Sequence, residues 1–169
     1  HYEEIDVTYD VSESAEKALR IVSSSLQMAW DPERKRPLRG TQMRVFGFAG
    51  TAGTGKNTTA RQIAASLRLP YYETTLHRDT SLQEEIGQTV LHEGTTMPRL
   101  GPLGQAAAAG GVICINELVK ANPGTLGALQ RMMEDGVFEV QGTEAGISAK
   151  EIPVHPSTIF VCTWNPGYD

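Results

Sequence analysis

Gly50-Thr51-Ala52-Gly53-Thr54-Gly55-Lys56-Asn57 fits the spacing G-x-x-x-x-G-K-[ST] at every position but the last. A phosphate chain needs several backbone N–H groups pointing inward, and glycine lets a loop curl that tightly without Cβ clashes. The stretch before it, MRVFGFAG at 43–50, is a short apolar run rich in β-formers that stops at glycine. It reads as a buried strand. After it, residues 58–68 place Ala60, Ile63, Ala64 and Leu67 on one helical face. A helix opening at Lys56 offers its N-terminal amides and dipole to an anion, and Lys56 adds a point charge for the β and γ phosphates. The competing reading is a Gly-rich strand-to-helix turn with a chance lysine.

Asn57 stands where a Ser or Thr hydroxyl normally coordinates Mg²⁺. Thr58 carries the hydroxyl, but one residue further round a helix is about 100° away. Downstream, VICINE at 112–117 is an apolar strand ending in a polar pair, Asn116-Glu117. The pair resembles the end of the acidic strand in P-loop ATPases, where a first carboxylate holds the Mg²⁺ hydration shell and the following Glu polarises the attacking water. By that resemblance Glu117 takes the second role, or else it is a surface acid at a strand end. The position that would hold the metal's hydration shell with a carboxylate is Asn116. TIFVCTWN at 158–165 is another buried strand. It delivers Asn165 to the crevice beyond the carboxyl ends of the strands, where ligands bind in open α/β sheets. Trp164 reads as packing.

The remaining segments alternate in type. LPYYETTL at 69–76 is a strand, SLQEEIG at 81–87 opens a helix, and QTVLHEGTTMPRLGPL at 88–103 is a hairpin or loop excursion. GQAAAAGG at 104–111 is a short helix closed by glycine. Asn122-Pro123 opens a further helix that buries Leu126, Leu129, Met132 and Met133 and ends at Gly136. VFEV at 137–140 and KEIPV at 150–154 alternate and pair as a small ribbon. Upstream, residues 13–30 read as a helix, with Asp10 and Glu13 resembling a capping box. Residues 31–44 read as a linker holding five of the chain's fifteen basic residues. That cluster suits phosphate or an acidic partner, or is a solvated loop. The expected architecture is a three-layer α/β parallel sheet with flanking helices. Residues 1–43 lead in and residues 44–169 form the nucleotide-binding core.

Composition sets the outer bounds. The 169 residues are 40% hydrophobic and 21% charged, a globular balance with no run near the ~20 apolar residues of a membrane span. A net charge of −5 makes nucleic acid an unlikely partner. Cys114 and Cys162 each sit in an apolar run, so two buried free thiols and a reducing, cytoplasmic setting are expected. His1, His77, His92 and His155 are too scattered for a local zinc pair.

Taken together these segments resemble the AAA+ ATPases, and within them the MoxR-like, helix-2-insert group with its CbbQ, NorQ and gas-vesicle relatives. The likeness covers about 43–169. GTAGTGKNT at 50–58 is similar to Walker A, VICINE to Walker B, and FVCTWNPGY at 160–168 to the sensor-1 strand. EGTTMPRLGPL at 93–103 stands where the group carries its insert, and NELVKANPGTLGALQRMMEDG at 116–136 is the most specific match. The resemblance implies a P-loop NTPase sheet, here stopping before the last strand and the helical lid. It implies an ATP-hydrolysing, hexameric remodelling or activating chaperone, with a protein client and often a von Willebrand A-domain companion. It implies ATP/ADP and Mg²⁺ as ligands. Nucleotide would be bound by Gly50, Thr51, Ala52, Gly53, Thr54, Gly55, Lys56, Asn57 and Thr58. Glu117, Asn165 and Lys56 would act in catalysis, with Asn57 and Asn116 as weak Mg²⁺ positions. Because both of these are Asn, a nucleotide-gated scaffold that binds but hydrolyses poorly is the second reading, and this stretch alone is expected to turn over little ATP. An enhancer-type transcription activator would need a Gly-Ala-Phe-Thr-Gly-Ala loop, which is absent.

Overall fold

The computed structural model of the chain describes residues 30–31, 36–37, 45–49 and 56–164. Residues 13–29 of the helix expected at 13–30, the loop at 50–55, Asn165 and the side chains of Lys56, Asn57 and Trp164 lie outside the described residues. Fifteen elements follow one another within the described part, and the central sheet takes four of them. These are β3 (Val45–Ala49), β4 (Tyr71–Thr75), β7 (Val112–Asn116) and β10 (Ile159–Trp164). They lie in the order β3-β10-β7-β4, all parallel. A parallel sheet is covered on both faces, and β7 shows why: all five of its residues are buried.

Alternation along the strands sorts the core into two halves. Val112, Cys114, Ile159 and Val161 pack on Ala60, Ile63 and Ala64 of helix α1 (Lys56–Leu67). Ile113, Ile115 and Phe160 face the other way, into a cluster with Leu103, Ala107, Leu129, Met132 and Phe138. That second face is covered by α3 (Pro102–Ala109) and α4 (Pro123–Asp135). The three layers expected from the alternating segments are therefore present.

α1 leaves β3 and returns the chain to β4 at the far side of the described sheet. Between β4 and β7 come α2 (Leu82–Glu85), capped by Ser81, and an antiparallel hairpin, β5 (Gly87–His92) and β6 (Thr95–Leu100). α3 then docks so closely that a Cβ on Gly104 would strike the Ile86 carbonyl. α4 opens with Asn122 Oδ1 accepting the Thr125 N–H at 2.9 Å and Pro123 in its first turn. It stops at Gly136, whose φ of 69° suits glycine. The ribbon β8 (Val137–Val140) and β9 (Lys150–Pro153) pairs antiparallel, as the alternation predicted.

Three points differ from the sequence reading. α3 begins at Pro102, two residues before Gly104, where the short helix was expected to open, whereas α1 begins at Lys56 as expected. In α4, Leu129 and Met132 are buried while Leu126 and Met133 are half-buried, because they flank the stripe that meets the sheet. Trp30 belongs to a two-residue ribbon, β1 (Trp30–Asp31) with β2 (Arg36–Pro37), so it does not close a helix and the basic stretch is not wholly without structure.

Candidate nucleotide site

The register brings the strand ends level. Trp164 of β10 stands beside Ala49 of β3, and Thr163 stands beside Asn116, which in turn stands beside Thr75 of β4. The described ends of β3, β7 and β10 therefore lie level at one end of the sheet. α1 runs twelve residues and has no acidic residue in its first turn, so its own first-turn side chains do not offset the positive end of its dipole. Thr58 is half-buried and Thr59 buried.

At the end of β7, Asn116 is 9% exposed. Its Oδ1 accepts the Thr163 hydroxyl at 2.6 Å and the Cys114 thiol at 3.5 Å. Its main-chain carbonyl accepts the Leu76 N–H at 2.9 Å. Glu117 follows with φ 59° and ψ 38°, a left-handed conformation uncommon outside glycine and frequent at functional turns. Its N–H donates to the Thr163 carbonyl at 3.0 Å. One turn of 3-10 helix, Leu118–Lys120, comes next and brings Lys120 Nζ to 3.2 Å from Glu117 Oε2.

Burial pushes the Cys114 thiol up to about 11, with the Tyr71 hydroxyl pulling it partly back. Burial likewise raises Cys162 to about 11, the neighbouring Cys114 adding to it. Both cysteines are buried and neither is in a disulfide, as their apolar surroundings predicted. Tyr71 is carried well above the ordinary tyrosine range, first by burial and then by Cys114.

Of the sequence-predicted residues, the fold brings Asn116 and Glu117 to the sheet edge from which α1, opening with Lys56 and Asn57, departs. Two residues escaped the sequence reading. Thr163 lies two positions before Asn165 on the same strand, and Lys120 lies three after Glu117. Spacing of that kind signals a contact only once the strand register and the 3-10 turn are known.

Asn116 brings no charge, and its amide oxygen is already an acceptor for Thr163. Among the described residues no group of three or more His, Cys, Asp or Glu converges to hold a metal. A Mg²⁺ ion here would rest on phosphate oxygens and water. Among the described residues, too, no helix is long and apolar enough to cross a membrane.

The parallel order β3-β10-β7-β4, with helices on both faces, defines an α/β domain built on a central parallel sheet. The chain belongs to the AAA domain family, dynein-related subfamily, whose model matches residues 48–169, and it is of the MoxR type. It is 30% identical over 120 residues to Protein NorQ of Paracoccus denitrificans, covering 70% of this chain and 43% of that one. It is 29% identical over 119 residues to the denitrification regulatory protein NirQ of Pseudomonas aeruginosa, covering 70% and 44%. The chain thus spans less than half the length of the curated relatives it matches. A crystal structure of a provisionally assigned ATPase from Cytophaga hutchinsonii superposes with a TM-score of 0.52 at 14% identity, over 92% of this chain and 46% of that one. That likeness speaks for the fold.

Proposed function

We propose that residues 44–169 form the nucleotide-binding core of an ATP-driven, oligomeric protein-remodelling or activating chaperone of the MoxR type. The observation that carries this reading is the meeting, at one sheet edge, of Asn116-Glu117, the strand leading to Asn165, and the start of α1. Gly50, Thr51, Ala52, Gly53, Thr54, Gly55, Asn57 and Thr58 cradle the phosphates, and Lys56 offsets their charge. Glu117 orients the attacking water, and Asn165 reads the γ-phosphate from the neighbouring strand. An arginine from an adjacent subunit of a hexameric ring completes the site, a contribution of ~10³–10⁵ in rate in related NTPases. The β5–β6 hairpin is then the part moved against a protein client, with a von Willebrand A-domain protein as a companion. Two cysteines outside any disulfide favour a reducing, cytoplasmic setting.

The commitment of the Asn116 oxygen to Thr163 favours a second reading, a nucleotide-gated scaffold that binds ATP or ADP and hydrolyses poorly. Titration with a fluorescent ADP analogue tests what the two readings share. Binding is expected to saturate and to weaken at least tenfold in Lys56→Ala, and equal binding by both proteins overturns it. ATP turnover by the full-length protein that Glu117→Gln abolishes selects the chaperone; binding without turnover selects the scaffold.

A further inference from the structure

We infer that Lys120 is a positioning residue for Glu117: its ammonium pins one carboxylate oxygen and leaves the other to orient the attacking water. The inference rests on the hydrolytic reading of Glu117 given above. Oε2 of Glu117 is closed off from solvent, and no hydrogen-bond donor is aligned on it among the described residues. The Lys120 charge at 3.2 Å compensates it instead. The side chain as a whole is 29% exposed, so its accessible surface lies on the rest of the group.

The ordinary account of such a contact is an i,i+3 surface pair of little consequence. Three features of the turn speak against that account. Glu117 is held at φ 59° with its N–H on the Thr163 carbonyl, so its Cα–Cβ direction is fixed by β10. The Lys120 N–H donates to the Glu117 carbonyl at 2.9 Å, closing the turn that carries the ammonium back over the carboxylate. And a carboxylate oxygen shut away from water is costly without a compensating charge. With Lys120 gone, Oε2 rotates out toward water and the carboxylate loses its set direction. Misplacing a reacting group by about 1 Å costs up to ~10² in rate.

The test uses the full-length protein and the variants Lys120→Met, Lys120→Arg and Glu117→Gln. Lys120→Met is expected to lower kcat for ATP by roughly tenfold or more, with KM and ADP affinity within about twofold of wild type. Lys120→Arg, which keeps the charge, recovers most of the loss. A readout that needs no turnover is the rate of Lys120 acetylation by an activated ester, located by peptide mass spectrometry without nucleotide. It is expected to rise in Glu117→Gln, where the pair is lost. The inference is overturned by a Lys120→Met enzyme that keeps wild-type kcat while Glu117→Gln is dead. It is equally overturned if ADP affinity falls in step with kcat, or if acetylation is the same in wild type and Glu117→Gln. A wild type that hydrolyses no ATP removes the hydrolytic reading itself, and the positioning role with it. Acetylation then reports the ion pair alone, which keeps the two failures apart.

Discussion

Thr163 holds two neighbours at once, the Asn116 side chain through its hydroxyl and the Glu117 main chain through its carbonyl. An aspartate at 116 would keep one oxygen for that hydroxyl and free a second, charged one. Asn116→Asp together with Asn57→Thr is therefore expected to raise ATP affinity with Mg²⁺ present more than without it. The loop amides act on phosphate whether or not metal is bound, whereas these two side chains act through the ion. Because they share one ion, their effects should be non-additive, with a coupling of roughly 0.5–3 kcal/mol. Calorimetry on the four proteins of the cycle, with and without Mg²⁺, measures it. No gain specific to Mg²⁺ would mean that the asparagines already suffice and would remove the main support for the scaffold. At this scale the sequence showed Asn116 and Glu117 plainly, because a polar pair at the end of an apolar run stands out. Thr163 and Lys120 did not stand out, since a threonine in a strand and a lysine in a turn are ordinary until register and turn geometry give them partners.

Among the elements, the hairpin β5–β6 and the ribbon β8–β9 are sewn together by one buried residue. Thr89 is fully buried; its hydroxyl donates to the Val140 carbonyl at 2.7 Å and its N–H to the Gln141 carbonyl at 2.7 Å. Its own carbonyl accepts the Thr143 N–H at 3.0 Å, and Lys150 Nζ reaches the Thr96 carbonyl at 2.9 Å. Arg131 extends the connection to α4, with ion pairs to Glu139 of β8 at 2.9 Å and Glu151 of β9 at 3.0 Å. Helix α4 and both ribbons thus form one linked unit. Thr89→Val keeps the shape and deletes the hydroxyl, leaving the Val140 carbonyl short of a donor. A loss of about 1–3 kcal/mol in denaturant unfolding is expected, with Thr89→Ser losing less. Equal stability of the valine variant and wild type would show that the hydroxyl bond contributes nothing. The sequence carried both ribbons, through alternation and glycine turns, but not the seam between them. Residues 89 and 140 are 51 positions apart, and no local pattern joins them.

For the molecule as a whole, two buried thiols and a half-buried tyrosine define an alkaline edge. Cys114 and Cys162 move from 9.0 to about 11, and Tyr72 moves from 10.0 to about 12, by burial first and the nearby Glu85 second. Above pH 9 the unfolded chain releases these protons while the folded chain keeps them. The folded state then binds more protons, and stability falls as pH rises through this window. The melting temperature is expected to decline steadily above about pH 9. Cys162→Ala should decline less steeply over the same range. A melting temperature unchanged to pH 11 would contradict the buried state of these groups.

The sequence by itself determined the class of fold. The glycine spacing at 50–55, the apolar strands and the amphipathic helices between them are local signals set by backbone sterics and by periodicity, and each is readable within a dozen residues. It also determined that Asn116 ends a buried strand, with Glu117 directly after it. The tertiary structure alone decided the strand order β3-β10-β7-β4, which sets Thr163 against Asn116. It alone decided the left-handed turn at Glu117, which swings Lys120 back onto the carboxylate. Those contacts join residues through register and burial across the whole core, and such long-range packing leaves no trace in the residues nearby.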